Sequence, residues 1–390
     1  MAKTVFVGMS GGVDSSVSAL LLKEQGYNVV GVYMKNWSRD LPGMKCPWAE
    51  DLADAKRVAV KLGIDFQVWD FEEAYREKVV EYMLSEFRAG NTPNPDIMCN
   101  QEIKFKLFYE KAMKEGADFI ATGHYARVRW SLTLDSCLGA RPTVPSPRAA
   151  GANPRLARLR TPLRQESNAT SPQLVRAVDE NKDQTYFLYR ISEEALAHTI
   201  FPIGAMRKPE VKKLAEEKGL HNAYKKESMG VCFVGEVGMK DFLKEYIDVA
   251  PGEIREAESE RVLGYHEGAV FYTVGQRHGL YLDGEKGVVN DGMPYYVVRK
   301  DIKKNIVYVS KNINSELLWT DRLKLRDIFL RTDANISGEI SVRLRHRAPL
   351  IPATFDGETL YFEDEVKRPA SGQSAVLYDD EVCLGGGIII

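Results

Sequence analysis

The chain predicts an α/β protein: a doubly wound parallel sheet at the N-terminus, then a small central domain and a C-terminal β-barrel. Three observations carry this. Short apolar runs alternate with amphipathic helical stretches from Thr4 to Thr122, the pattern of repeated βαβ units. A glycine-rich turn, Gly8-Met9-Ser10-Gly11-Gly12-Val13-Asp14-Ser15, joins the first run to the first helix. Beyond about residue 240 the helical period gives way to short strands separated by Gly, Asp and Asn turns, as in small sheets and barrels. The expected domains are 1–238, 239–302 and 303–390.

In order, Thr4–Met9 is a strand and the helix after it carries Val17, Leu20 and Leu21 on one face, stopping at Gly26. Asn28–Met34 completes the first βαβ unit, whose crossover implies parallel pairing. Lys35–Pro47 reads as loop, Ala49–Leu62 as helix ended by Gly63, Phe66–Trp69 as strand, and Ala74–Phe87 as helix. Helix Ile103–Lys114 and strand Phe119–Thr122 continue the alternation. Ligands of such a sheet bind at the carboxyl ends of the strands.

Trp130–Gln173 breaks the pattern, with six prolines, six arginines, no lysine and little hydrophobic periodicity over 44 residues. It reads as a disordered or loosely packed insertion. Strand Leu174–Ala177 and helix Pro209–Lys218 resume the domain. Later strands are expected at Val270–Thr273, Tyr295–Val298, Ile306–Val309, Glu339–Arg345, Ala353–Phe355, Thr359–Phe362 and Ser374–Tyr378.

Composition narrows the class. The chain has 390 residues, 44% hydrophobic and 28% charged, an ordinary soluble balance with room for two or three domains. No apolar run reaches membrane-spanning length, and Met1-Ala2-Lys3 leads straight into a strand, so a cytoplasmic protein without membrane contact is expected. Cys46, Cys99, Cys137, Cys232 and Cys383 are odd in number and lack C-x-x-C spacing, which argues against a zinc site or a disulfide framework. With a net charge of −2, nucleic-acid contact must rest on local patches. Arg343, Arg345 and Arg347 alternate along one expected strand and so would share a face suited to a phosphate backbone, or to a solvated edge.

Three stretches carry chemistry. In the first loop, backbone N–H groups and the positive end of the helix dipole make a phosphate site. The lysine of G-x-x-x-x-G-K-[ST] is missing and G-x-G-x-x-G is not met. S-G-G-x-D-S instead resembles the loop of the ATP pyrophosphatases. Gly90–Asp96 is a proline-braced polar loop that delivers Asp96 and Cys99 to a helix start, where a thiol is either dipole-activated or a small buried hydrophobe. Cys232 follows a basic pair and lies between glycines, and the same two readings apply. Thr122-Gly123-His124-Tyr125 ends a strand, with Gly123 positioned to admit a base and His124 to face substrate.

Taken in order, Gly8–Ser15, Thr92–Asn100, Ala121–Tyr125, Asn181–Gln184, Gly230–Phe233, Thr273–Arg277 and Gly372–Val376 resemble the tRNA-specific 2-thiouridylases over nearly the whole chain outside Trp130–Gln173. Departures are that insertion, Glu227-Ser228-Met229 where the family often has Asp-Ser-Thr, and His346 where an aromatic is frequent. The resemblance implies ATP with Mg²⁺ as cofactors. Gly8, Met9, Ser10, Gly11, Gly12, Val13, Asp14, Ser15, Met34 and Gly123 would bind ATP. Asn94, Pro95 and Asp96 would hold the target base, with Asp96 acting as acid or base. His124, Lys182, Asp183, Gln184, Arg345, His346 and Gln373 would touch tRNA. Cys232 matches the persulfide carrier and Cys99 its partner thiol, with a disulfide between them after transfer. Implied partners are glutamate, glutamine and lysine tRNAs and a sulfur donor, such as a cysteine desulfurase or sulfur-relay protein. An amine-using adenylating enzyme would not need paired cysteines, and a non-catalytic RNA-binding module would not need an intact loop.

Overall fold

The computed structural model describes residues 2–40, 46–132, 170–226, 238–280, 282, 293–331, 336 and 338–390. Its N-terminal sheet has five parallel strands in the spatial order Asp65–Asp70, Asn28–Lys35, Thr4–Gly8, Phe119–Thr122, Thr199–Ile200. The order reverses beside Thr4–Gly8, so the crevice for a ligand opens where that strand and Phe119–Thr122 end. Alternation divides the core between two faces. Val5 and Val7 join Val17, Leu21 and Val58 on one side, while Phe6 meets Trp69, Phe105 and Phe108 on the other.

Helix Val13–Glu24 follows the glycine loop, and Trp48–Leu62 ends at Gly63, whose φ of 57° closes it in the left-handed conformation. Pro95–Met98 opens a longer helical stretch in which Cys99–Leu107 is π-helical before Phe108–Lys114 returns to α. Wide turns of this kind often occur at functional sites.

A central four-stranded sheet has the order Tyr296–Asp301, Ile306–Ser310, Gly252–Glu256, Val262–His266. Ile306–Ser310 pairs inside it, so this sheet runs past the boundary expected at residue 302. Val270–Thr273 is not a strand. Ala269–Phe271 is a 3₁₀ turn, and the Ala269 amide donates to the Asn305 side chain at 3.0 Å rather than to a ladder.

The barrel closes six strands, with Trp319–Leu330 pairing both with Thr359–Lys367 and with Val382–Ile389. An antiparallel pair, Arg127–Leu132 and Thr170–Val175, attaches to the barrel strand Val382–Ile389 where Val175 meets Val382. Both ends of the expected insertion are therefore strand; its middle lies outside the described residues. The arginine stripe does not form either. The strand Ile340–Arg343 stops at Arg343, which is buried, and Arg347 takes a φ of 63° in the turn beyond.

Candidate active site

The glycine loop holds itself open. The Ser10 amide donates to Ser15 Oγ at 3.2 Å, and the Ser15 and Ser16 hydroxyls donate to the Gly12 carbonyl at 3.1 and 2.9 Å. Gly12 gives Val13–Glu24 no side-chain cap, so the helix presents uncapped amides, the general setting for an anion. Gly11 has a φ of +76°, and a Cβ there would lie 2.3 Å from the Asp51 carbonyl oxygen. Met9 and Val13 are buried and offer the loop only backbone. A Cβ on Gly8 would stand 2.9 Å from the end of Met34, so both residues shape one wall. Gly123 is tight as well: a Cβ there would fall 2.6 Å from the Ser15 nitrogen, so glycine lets a strand end touch a helix start.

Asp14 is the electrostatic centre of this end. Its carboxylate accepts from Lys208 Nζ at 2.7 and 2.8 Å and from the Tyr125 hydroxyl at 2.9 Å. Asn222 donates to the Gly11 carbonyl and to Ser16 Oγ, both at 2.9 Å. Sequence reasoning missed Lys208, Tyr125 and Asn222. Lys208 carried one signal: a lysine opening the helix Lys208–Glu217 opposes the helix dipole, which suggests a carboxylate partner elsewhere. Lys225 binds Asp51 and Asp54 at 2.7 and 2.6 Å, tying the chain after Asn222 to the helix that roofs Gly11.

The second end of the site is the loop before Cys99. Asn94 caps the Pro95 helix by accepting from the Asp96 amide at 3.2 Å. Burial raises the Asp96 carboxyl above its usual range, an effect the positive charge of Lys104 opposes. Burial also holds His124 well below the usual histidine range, and Lys104 adds to it. The ring is therefore neutral near pH 7. Its Nδ1 pairs with Thr122 Oγ1 at 2.8 Å, and the ring packs beside Phe105 and Phe201. Lys104, within electrostatic reach of both Asp96 and His124, is a further residue that sequence reasoning missed.

Cys99 is buried with Trp37, Tyr75, Phe87 and Phe242, so its thiol sits in an apolar pocket shared with the central domain. Cys232 and Cys137 lie outside the described residues. Of the other expected tRNA contacts, Asp183 is buried and accepts from Arg343 at 2.7 Å and from the Thr185 hydroxyl at 3.0 Å. Gln184 pairs with the Tyr125 amide at 2.9 Å. Gln373 donates to the Thr92 carbonyl at 2.7 Å. His346 packs against Phe187, ring centroids 4.5 Å apart, and Asn100 donates to the Phe187 carbonyl at 3.1 Å. Arg345 is exposed and Lys182 half-buried.

Comparison with known proteins agrees with this architecture. Residues 3–236 match the model of the tRNA methyl transferase HUP domain, 240–311 the tRNA methyl transferase PRC-barrel domain, and 320–389 the aminomethyltransferase beta-barrel domain. The tRNA-specific 2-thiouridylase MnmA of Listeria monocytogenes serovar 1/2a is 42% identical over 99% of this chain and 94% of its own length. The Bacillus subtilis strain 168 protein of the same description gives the same figures, and that of Bordetella avium is 43% identical over 99% and 97%. The chain belongs to the tRNA-specific 2-thiouridylase family. The NMN synthetase of Francisella tularensis superposes on 30% of the chain and 44% of its own, with 17% identity and a TM-score of 0.22, too little to bear on the fold. Among the described residues no helix is long and apolar enough to cross a membrane, and no three metal-ligating side chains converge.

Proposed function

We propose that the protein catalyses ATP-dependent 2-thiolation of the wobble uridine, position 34, of tRNA, in the cytoplasm. The observation that carries the reading is the pairing of an uncapped helix N-terminus at the sheet's reversal point with a carboxyl, Asp96, whose affinity for its proton is raised by burial. The loop would hold a triphosphate through its backbone amides. Gly11 leaves no room for a side chain against Asp51, and the helix start is anion-seeking. Magnesium entering with ATP would neutralise charge on the departing pyrophosphate.

The uracil C2 oxygen is a poor leaving group. Its attack on the α-phosphorus of ATP forms an O–P bond, releases pyrophosphate and leaves AMP as the group to be displaced. The outer sulfur of a Cys232 persulfide then attacks C2, and AMP departs with the former C2 oxygen. Cys99 thiolate attacks Cys232 Sγ, the S–S bond breaks toward the transferred sulfur, and a Cys99–Cys232 disulfide remains. An external dithiol restores the thiols, and a sulfur donor such as a cysteine desulfurase or relay protein restores the persulfide. Asp96 moves a proton at the base. Arg345, His346, Lys182 and His124 contribute to the tRNA face of the pocket. An unpaired, flipped base lets an enclosed pocket reach C2.

The test is single-turnover thiolation of an unmodified tRNA transcript with ATP, Mg²⁺ and labelled persulfide. Cys232→Ser should adenylate without transferring sulfur, whereas Cys46→Ser should be silent. A Cys99–Cys232 cross-link should accumulate with product in non-reducing peptide maps. Full sulfur transfer by the Cys232 variant would overturn the mechanism.

A further inference from the structure

Thr92 stands where all three domains meet. Its amide donates to the Ser371 carbonyl of the barrel at 2.7 Å, and its own carbonyl accepts from Gln373 at 2.7 Å. Its hydroxyl lies 3.3 Å from that of Thr273 in the central domain. Both backbone groups of this catalytic-domain residue are thus satisfied from another domain. The surrounding contacts follow the same rule. A Cβ on Gly372 would sit 2.9 Å from the Thr92 nitrogen, and one on Gly90 would sit 2.6 Å from Ile302 of the central domain. Asn91 donates to Glu86 at 2.9 Å, and Glu86 is held by Arg326 of the barrel at 2.6 Å.

Two sequence motifs acquire a purpose here. Thr273–Arg277 is a tight turn in which the Thr273 amide bonds Gln276 Oε1 at 3.0 Å and Gly275 takes a φ of +84°. Gly372 takes a φ of +92° beside Thr92. The first turn presents Thr273 to the loop, and the second presents Ser371 and Gln373. Between Thr92 and Asp96 the chain is Pro93-Asn94-Pro95, and prolines fix φ at two of those three positions. The placement of Thr92 therefore propagates to Asp96 with little slack.

We propose that Thr273 and Gln373 are positioning residues: docked from the two β domains onto Thr92, they set the position of Asn94–Asp96 for reaction with the base. Gln373 then acts through the loop by way of its bond to the Thr92 carbonyl. The inference rests on the reading of Asn94–Asp96 as the base-holding loop. Precise placement of reacting groups is worth orders of magnitude in rate, and small displacements are costly.

The experiment uses the full chain with ATP, Mg²⁺ and unmodified tRNA transcript, measuring pyrophosphate release at saturating tRNA and tRNA affinity by filter binding. Thr273→Val and Gln373→Ala should each lower kcat at least tenfold while tRNA Kd stays within twofold. Thr273→Ser, which keeps the hydroxyl, should restore the rate. Thr273→Val is close to isosteric, so its melting temperature should stay near that of the parent. A normal kcat in both variants, or a loss confined to Kd, overturns the clamp. Asp96→Asn separates the two levels of the argument. If it is inactive while the clamp variants are normal, the clamp alone falls. If Asp96→Asn turns over normally, the base-holding reading falls and takes the clamp with it.

Discussion

The two ends of the site are built in opposite ways. The end proposed for ATP is self-contained: one strand, one turn and one helix, completed by Tyr125, Lys208 and Asn222 of the same domain. The end proposed for the base, Asn91 to Asp96, is tied at Thr92, whose two backbone groups are met by the barrel and whose hydroxyl lies against Thr273 of the central domain. If the two ends serve ATP and the base as proposed, the comparison teaches that nucleotide handling would survive loosening of the domains, whereas base chemistry would depend on their docking.

Four changes sharpen or break that contrast. The largest effect is expected at Asp14. Asp14→Ala should cut tRNA-dependent pyrophosphate release by about 10²–10³, the scale of losing one preorganised electrostatic group. It also removes the carboxylate that Lys208, with a side chain only 9% exposed, binds at 2.7 Å, so the melting temperature should fall as well. The double variant Asp14→Ala with Lys208→Met should regain stability but not activity, as steady-state assays and melts would read.

Next is the weld between the domains. Asp183 and Arg343 are buried, with side chains 0% and 6% exposed. Breaking such a pair from one side costs about 3–5 kcal/mol, so Arg343→Met should lose that much in denaturant unfolding. If the contrast holds, the variant keeps ATP binding and loses base chemistry. Equal damage to both would break it.

Gly123→Ala tests the autonomous end directly. Its methyl would collide with the Ser15 nitrogen, 2.6 Å away, and overpacking of this kind costs about 1–3 kcal/mol. ATP binding should weaken while tRNA binding stays unchanged, which isothermal titration and filter binding would separate.

The smallest effect concerns pH. Burial, assisted by the charge of Arg347, lowers the His346 pKa to about 4. A histidine whose folded pKa lies below its unfolded value of about 6.5 stabilises the fold above that value. This contribution is lost as pH falls from 6.5 through about 4. His346→Phe should therefore flatten the acid slope of stability over that interval. An unchanged slope, followed by denaturant midpoints at pH 7.5, 5.5 and 4.5, would remove His346 from the account.

Legibility followed the same divide. Helix Trp48–Leu62, stopped by Gly63, was readable because its apolar spacing and terminator sit in one short window. Strands Trp319–Leu330 and Val382–Ile389 were not, since the first alternates only over Arg322–Arg326 among many charges and the second carries three glycines and is buried throughout. The arginine stripe misled because period-2 spacing means one face only while the strand lasts. A turn at Arg345–Arg347 ends it, and the one arginine left in the strand is drawn inward by Asp183.

What the sequence determined by itself was whatever is written in neighbouring residues: the order of strands and helices from Thr4 to Thr122, the Gly8–Ser16 loop, and the rigid Thr92–Asp96 segment. Hydrogen bonds of turns and helices span a few positions, and hydrophobic period reports which face is buried, so both can be read in a line. The tertiary structure alone decided the partners of those segments. Lys208 reaches Asp14 across 194 positions, Arg343 reaches Asp183 across 160, and Gln373 reaches Thr92 across 281. A charge or an amide shows in a sequence what it can bond but not which distant group folding will bring within 3 Å of it.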